Sequence, residues 1–101
     1  MARWKYTLKA GKDLREAISD DDNLRTLEML EKCWREINAQ FPDDFDEDDL
    51  QNELDDIENQ KDNVENYEDY DMTEEDLQDE INYLLDNLYE YCDNTGIWVE
   101  I

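Results

Sequence analysis

The spacing of apolar positions changes twice along the chain. Near the start, RWKYTLK at residues 3–9 alternates Trp4, Tyr6 and Leu8 with Lys5, Thr7 and Lys9, the two-residue period of a half-buried strand. That period returns in IWVEI at residues 97–101, where Ile97, Val99 and Ile101 alternate with Trp98 and Glu100. Two lone strands are marginal in water unless they pair and pack on something. The two ends are therefore predicted to pair with each other, with the chain between them supplying the cover.

Between the strands the period is helical. Gly11 to Ile18 predicts a short first helix with Leu14, Ala17 and Ile18 on its apolar side. Asp20, Asp21 and Asp22 then offer a cap and favourable negative charge to a stronger second helix. Its stripe is Leu24, Leu27, Leu30, Trp34, Ile37 and Phe41. Glu28 with Lys32 and Glu31 with Arg35 form i,i+4 pairs on the other side, and Pro42 stops the helix at or before Phe41. A third helix is predicted from near Asp46 into the 60s, with Leu50, Leu54, Ile57 and Val64 as a stripe only about 80° wide. Residues 66–72, NYEDYDM, read as a loop. Thr73 to Asp76 reads as a capping box and opens a fourth helix with Leu77, Ile81, Leu84, Leu85, Leu88 and Cys92 on one face. Gly96 is placed to end it in a left-handed conformation. The predicted fold is α+β, mostly α: one small domain over residues 1–101, with three to four helices and paired N- and C-terminal strands.

Charge changes the picture most. The chain has 32 Asp and Glu against 9 Lys and Arg, a net −23. Eight of the nine cations precede position 36, so residues 36–101 hold 25 carboxylates against Lys61 alone. Such a composition also marks disordered chains. The 39% hydrophobic content, 11% aromatic content, two glycines, one proline and clean helical period favour a folded domain. No 18-residue apolar run exists, so no membrane span is predicted. Cys33 and Cys92 fit no metal or redox spacing and read as reduced, partly buried thiols of a cytosolic chain.

The acidic half is the candidate site. Residues 46–65 hold 10 carboxylates and residues 74–93 hold 8. Side by side as helices of about 30 Å, the two spans show roughly one charge per 1.7 Å, near the density of duplex DNA. A surface held at that cost suits a basic partner, and proteins that grip nucleic acid are basic by necessity. The partner-binding candidates are Asp48, Asp49, Asp55, Asp56, Glu58 and Asp62 on the third helix, Tyr67, Glu68, Asp69, Tyr70 and Asp71 in the loop, and Asp79, Tyr83 and Asp86 on the fourth helix. Exposed tyrosines among carboxylates can pack on arginine; alternatively each ring folds over the edge of the core, except Tyr83, which projects away from the leucine face. Trp4, Trp34 and Trp98 read as structural.

Other chemistries are disfavoured. Calcium loops starting at Asp44 or Asp69 lack the glycine that the turn requires, so no metal site or other cofactor is expected. With no histidine, one serine beside three aspartates and no glycine-rich phosphate loop, the chain reads as non-enzymatic. Direct nucleic-acid binding is disfavoured by the same charge.

Size, charge, acid-covered helices from Asp46 to Asp93, and tyrosines such as Tyr67, Tyr70 and Tyr83 among carboxylates are together similar to the small acidic inhibitors that phages use against bacterial defence systems, DNA mimics and anti-CRISPR proteins among them. The likeness is one of type, without a shared motif or fold. It implies a non-catalytic inhibitor in the bacterial cytoplasm that occupies the guide-RNA or DNA channel of a defence nuclease, such as a CRISPR effector. An acidic interaction module or chaperone that shields a basic client protein is the alternative.

Overall fold

The computed structural model describes residues 6–43 and 46–99. Among these the chain forms, in order, β1 (Tyr6–Leu8), α1 (Gly11–Ser19), α2 (Asn23–Gln40), α3 (Glu47–Asn66), α4 (Glu74–Thr95) and β2 (Ile97–Val99). The predicted α+β, mostly α class is the observed one. Trp4 and Ile101, assigned above to the strands, lie outside the described residues.

The two strands pair in parallel, with Tyr6 opposite Ile97 and Leu8 opposite Val99. Parallel pairing needs a long crossover, and here the four helices are that crossover. Leu8 and Ile97 turn into the core, while Thr7 and Trp98 face outward. Trp98 is therefore not a core residue: it is 43% exposed, because strand alternation sends it to the side opposite Ile97.

Helix starts and stops follow local chemistry. Asp22 caps α2 by accepting from the Arg25 N–H, and Asp46 caps α3 by accepting from the Asp48 N–H. Thr73 and Asp76 form a reciprocal capping box on α4, and Gly96 ends that helix at φ 78°. Phe41 closes α2 just before Pro42. Asp21 and Asp71 hold left-handed conformations in the turns after α1 and α3, which aspartate tolerates better than most residues.

Successive helices run antiparallel. Lys32, midway along α2, sits 3.5 Å from Asp13, early in α1, while Arg25, in the first turn of α2, reaches Glu16 and Asp20 at the far end of α1 at 3.9 and 3.6 Å. Lys32 thus pairs across helices rather than with Glu28, while the Glu31–Arg35 pair forms at 3.9 Å. Asp49, Asn52 and Glu53 of α3 line one groove with Asn87, Glu90 and Asn94 of α4, and Val64 and Tyr67 meet Glu74 and Leu77 at the other end. The core gathers Leu14, Leu27, Leu30, Ile37, Ile57, Ile81 and Leu88, all fully buried, with the Trp34 ring tilted against Tyr91 at a centroid distance of 5.4 Å. Each such aliphatic side chain contributes about 1.5–3 kcal/mol. Leu24 is only half-buried; Thr26 and Cys33 take buried positions on α2 instead.

Glu36 of α2 ties the N-terminal segment down. Its Oε2 accepts from the Tyr6 hydroxyl and, at 2.7 Å, from the Lys9 N–H; its Oε1 accepts from the Ala10 N–H at 3.0 Å. Ala10 precedes α1 and has no side chain that can cap it; the carboxylate of Glu36 instead satisfies the N–H groups of Lys9 and Ala10 just ahead of the helix. Nothing local in the sequence marks Glu36 for this, because the partners lie 26–30 residues away.

Candidate functional site

On α3, successive residues turn by about 100°. Asp48, Asp55 and Asp62 therefore share one line, opposite the stripe formed by Leu50, Leu54 and Ile57. On α4, Asp79, Tyr83 and Asp86 share a line opposite Leu77, Ile81, Leu84 and Leu88. All six are exposed, as are Asp49, Asp56, Glu58, Glu68, Asp69, Tyr70 and Asp71. Asp49 and Asp56 sit on the flank of α3 that borders the α3–α4 groove, about 80–100° round from the Asp48 line. The fourteen candidates thus fall on two adjacent helices and the turn that joins them.

The carboxylates have little cationic relief. Sequence places no Lys or Arg on α4 and only Lys61 on α3. Lys61 is mostly covered and already engaged, 3.8 Å from Glu31 of α2 and 3.6 Å from Glu58. Neither α3 nor α4 has a basic residue in its last turn; Glu65 and Asp93 stand there instead. Acids at that end oppose the helix dipole. Glu53 shows the crowding directly. Partial burial, with Asp56 and Asp49 nearby, raises its carboxyl above the usual range, and its Oε2 is buried without a hydrogen-bond partner among the described residues.

Two of the three tyrosines serve the protein's own geometry. The Tyr70 hydroxyl donates to Asp62 Oδ2 at 2.6 Å and the Tyr67 hydroxyl to Glu74 Oε1 at 3.5 Å. Those carboxylates raise both phenols: for Tyr70 the hydrogen bond to Asp62 leads, for Tyr67 the charge of Glu74. Tyr67 is also half-buried. Tyr70 keeps an exposed ring, at 50%, but its hydroxyl is spoken for inside the acidic field. Tyr83 is 62% exposed, as its helical position predicts.

Cys33 and Cys92 are buried free thiols, each pushed up to about 12, with burial the leading cause. Among the described residues no group of His, Cys, Asp or Glu is arranged to hold a metal ion, and no helix is long and apolar enough to cross a membrane. Sequence reasoning missed a second surface feature. An apolar cleft beside β2 is lined by Tyr89, Cys92, Ile97, Trp98 and Val99, with Glu90 and Asp93. The uncharged run Ile97-Trp98-Val99 was its available signal. No protein family, curated protein or solved structure matches this chain.

Proposed function

We propose that this protein is a non-catalytic inhibitor that presents carboxylates where the phosphates of a nucleic acid would lie and so occupies the binding groove of a basic, nucleic-acid-binding protein. The observation that carries this reading is the pair of antiparallel helices α3 and α4. They expose Asp48, Asp55 and Asp62 on one, Asp79 and Asp86 on the other, and the region's one lysine is turned to α2. Carboxylates at the C-terminal ends of both helices oppose stability, which favours a use in binding over a use in folding. Likeness of type to acidic phage inhibitors directs the reading to a bacterial defence nuclease, a CRISPR effector above all, with guide RNA or target DNA as the excluded ligand. Tyr83 is the aromatic best placed to pack on a partner's arginine.

The test challenges CRISPR effector nucleases with the protein before and after guide loading, and measures guide binding and target binding separately. One of the two steps is expected to be lost, and the loss to weaken as salt rises. Replacing Asp55, Asp56, Asp79 and Asp86 together with Asn is expected to abolish inhibition, while Glu28→Gln on α2 leaves it intact. Glu31 is unsuitable as that control because it holds Lys61. A stable ternary complex of protein, guide and target with full cleavage would refute the reading, and shielding of a basic client would replace it.

A further inference from the structure

Among the described residues the parallel sheet has two strands and so two outer edges, and the one on β2 is unusual. The cleft beside it, about 480 Å³, touches all three β2 residues and Tyr89, Glu90, Cys92 and Asp93 of α4, but no described residue of β1. Side chains along a strand alternate between faces, so a cleft that meets Ile97, Trp98 and Val99 in succession runs along the strand's edge. It lies on the side that β1 does not occupy. Edge strands in soluble proteins are commonly blunted by charge, proline or a bulge; Ile97-Trp98-Val99 has neither charge nor proline, and it pairs in regular register with β1. The cleft is mostly apolar, with buried Cys92 and Ile97 beneath and half-buried Tyr89 and Val99 at the sides. Its polar rim is acidic, from exposed Glu90 and Asp93.

These features select an occupant. An extended segment satisfies an open strand edge through its backbone and places alternate side chains on opposite faces. A second copy of this chain would bring Glu90 and Asp93 against like charges, with a net −23 on each molecule. We infer that the open edge of β2 receives an extended, basic segment of a partner protein as a third strand. Its apolar side chains pack on Tyr89, Ile97 and Val99, and its Lys or Arg side chains face Glu90 and Asp93. This goes beyond the occupation of a nucleic-acid groove and does not depend on it: the acidic face of α3 and α4 holds the partner electrostatically, whereas this edge recognises backbone and alternation.

The experiment uses the full chain labelled with nitrogen-15 and three hexapeptides: alternating Lys and Val, alternating Glu and Val, and the Lys–Val peptide with alternate backbone nitrogens methylated. The Lys–Val peptide is expected to shift the amide signals of Gly96 to Val99 and Tyr89 to Asp93 and to slow hydrogen exchange in β2. Methylation, which removes strand N–H donors, is expected to weaken binding tenfold or more, and the Glu–Val peptide to leave β2 unmoved. In a Glu90→Lys/Asp93→Lys variant, both sites being exposed, the preference is expected to reverse towards Glu–Val. Three results would overturn the inference: shifts confined to α3, equal binding of the methylated peptide, or self-association of the chain through β2. None of these touches inhibition scored with the Asp55, Asp56, Asp79 and Asp86 replacements, so the two proposals fail separately.

Discussion

At the scale of single residues, burial decides what the two cysteines can do. A thiol raised to about 12 stays protonated at neutral pH, and the thiolate is the reactive form. Native protein is expected to react with a thiol-specific chromogenic disulfide only as fast as it unfolds, and to release two equivalents at once in denaturant. Stability should respond to base in step. A group whose folded pKa lies above its unfolded one binds its proton more tightly when native. The contribution of the thiols is therefore complete below about 9 and lost as pH rises towards 12. Tyr6 shifts in the same direction, from 10.0 to about 12, through burial and then its bond to Glu36. Urea melts between pH 8 and 11 check the slope, which Tyr6→Phe should reduce. Glu36 accepts three hydrogen bonds from the N-terminal segment, so Glu36→Ala leaves three donors without their acceptor. It is expected to cost about 1–3 kcal/mol in the same urea melts.

Helices and strands differ in how much of them the sequence discloses. The capping box at Thr73, the stop at Pro42 and the left-handed Gly96 are each set by neighbours within about four residues, and all are where the pattern predicts them. Gly96→Ala is accordingly expected to lower stability by about 1 kcal/mol, read from the urea midpoint, since alanine resists a positive φ. Glu65→Lys, in the last turn of α3, is expected to do the opposite by about 0.3–1 kcal/mol through the helix dipole. What the sequence does not disclose depends on contacts across elements. The direction of strand pairing, the choice of Lys32 for Asp13 over Glu28, and the clamp by Glu36 all join residues at least 19 apart. Site legibility divides in the same way. Helical phase alone gives Tyr83 its exposure, whereas the hydroxyl bonds of Tyr67 and Tyr70 require the α3–α4 turn to be folded first. Trp98 shows a different gap: strand alternation marks it as outward-facing, but hydrophobicity alone points to the core.

For the molecule as a whole, shape and charge interact. The fold is a slab, 46 × 29 × 17 Å along its principal axes, carrying a net −23. At 0.01 M salt the Debye length is about 30 Å, so carboxylates on one broad side repel those on the other. At 0.15 M it falls to about 8 Å and at 1 M to about 3 Å, distances shorter than the slab is thick, and repulsion is then limited to near neighbours. Cross-helix ion pairs pull the other way, because screening weakens Lys32–Asp13 and Arg25–Glu16. Those pairs are exposed, at 3.5 and 3.9 Å, and exposed pairs contribute little, so repulsion is the larger quantity that salt removes. Thermal melting followed by circular dichroism is therefore expected to give a Tm that climbs with NaCl, most steeply between 0.01 and 0.15 M. The Asp55, Asp56, Asp79 and Asp86 to Asn variant should melt higher than the natural chain at low salt and converge on it at high salt. A Tm that is flat or falls with NaCl would mean that attraction across the slab outweighs repulsion. The acidic face would then be part of what holds the fold together, and the case for keeping it as a binding surface would be lost.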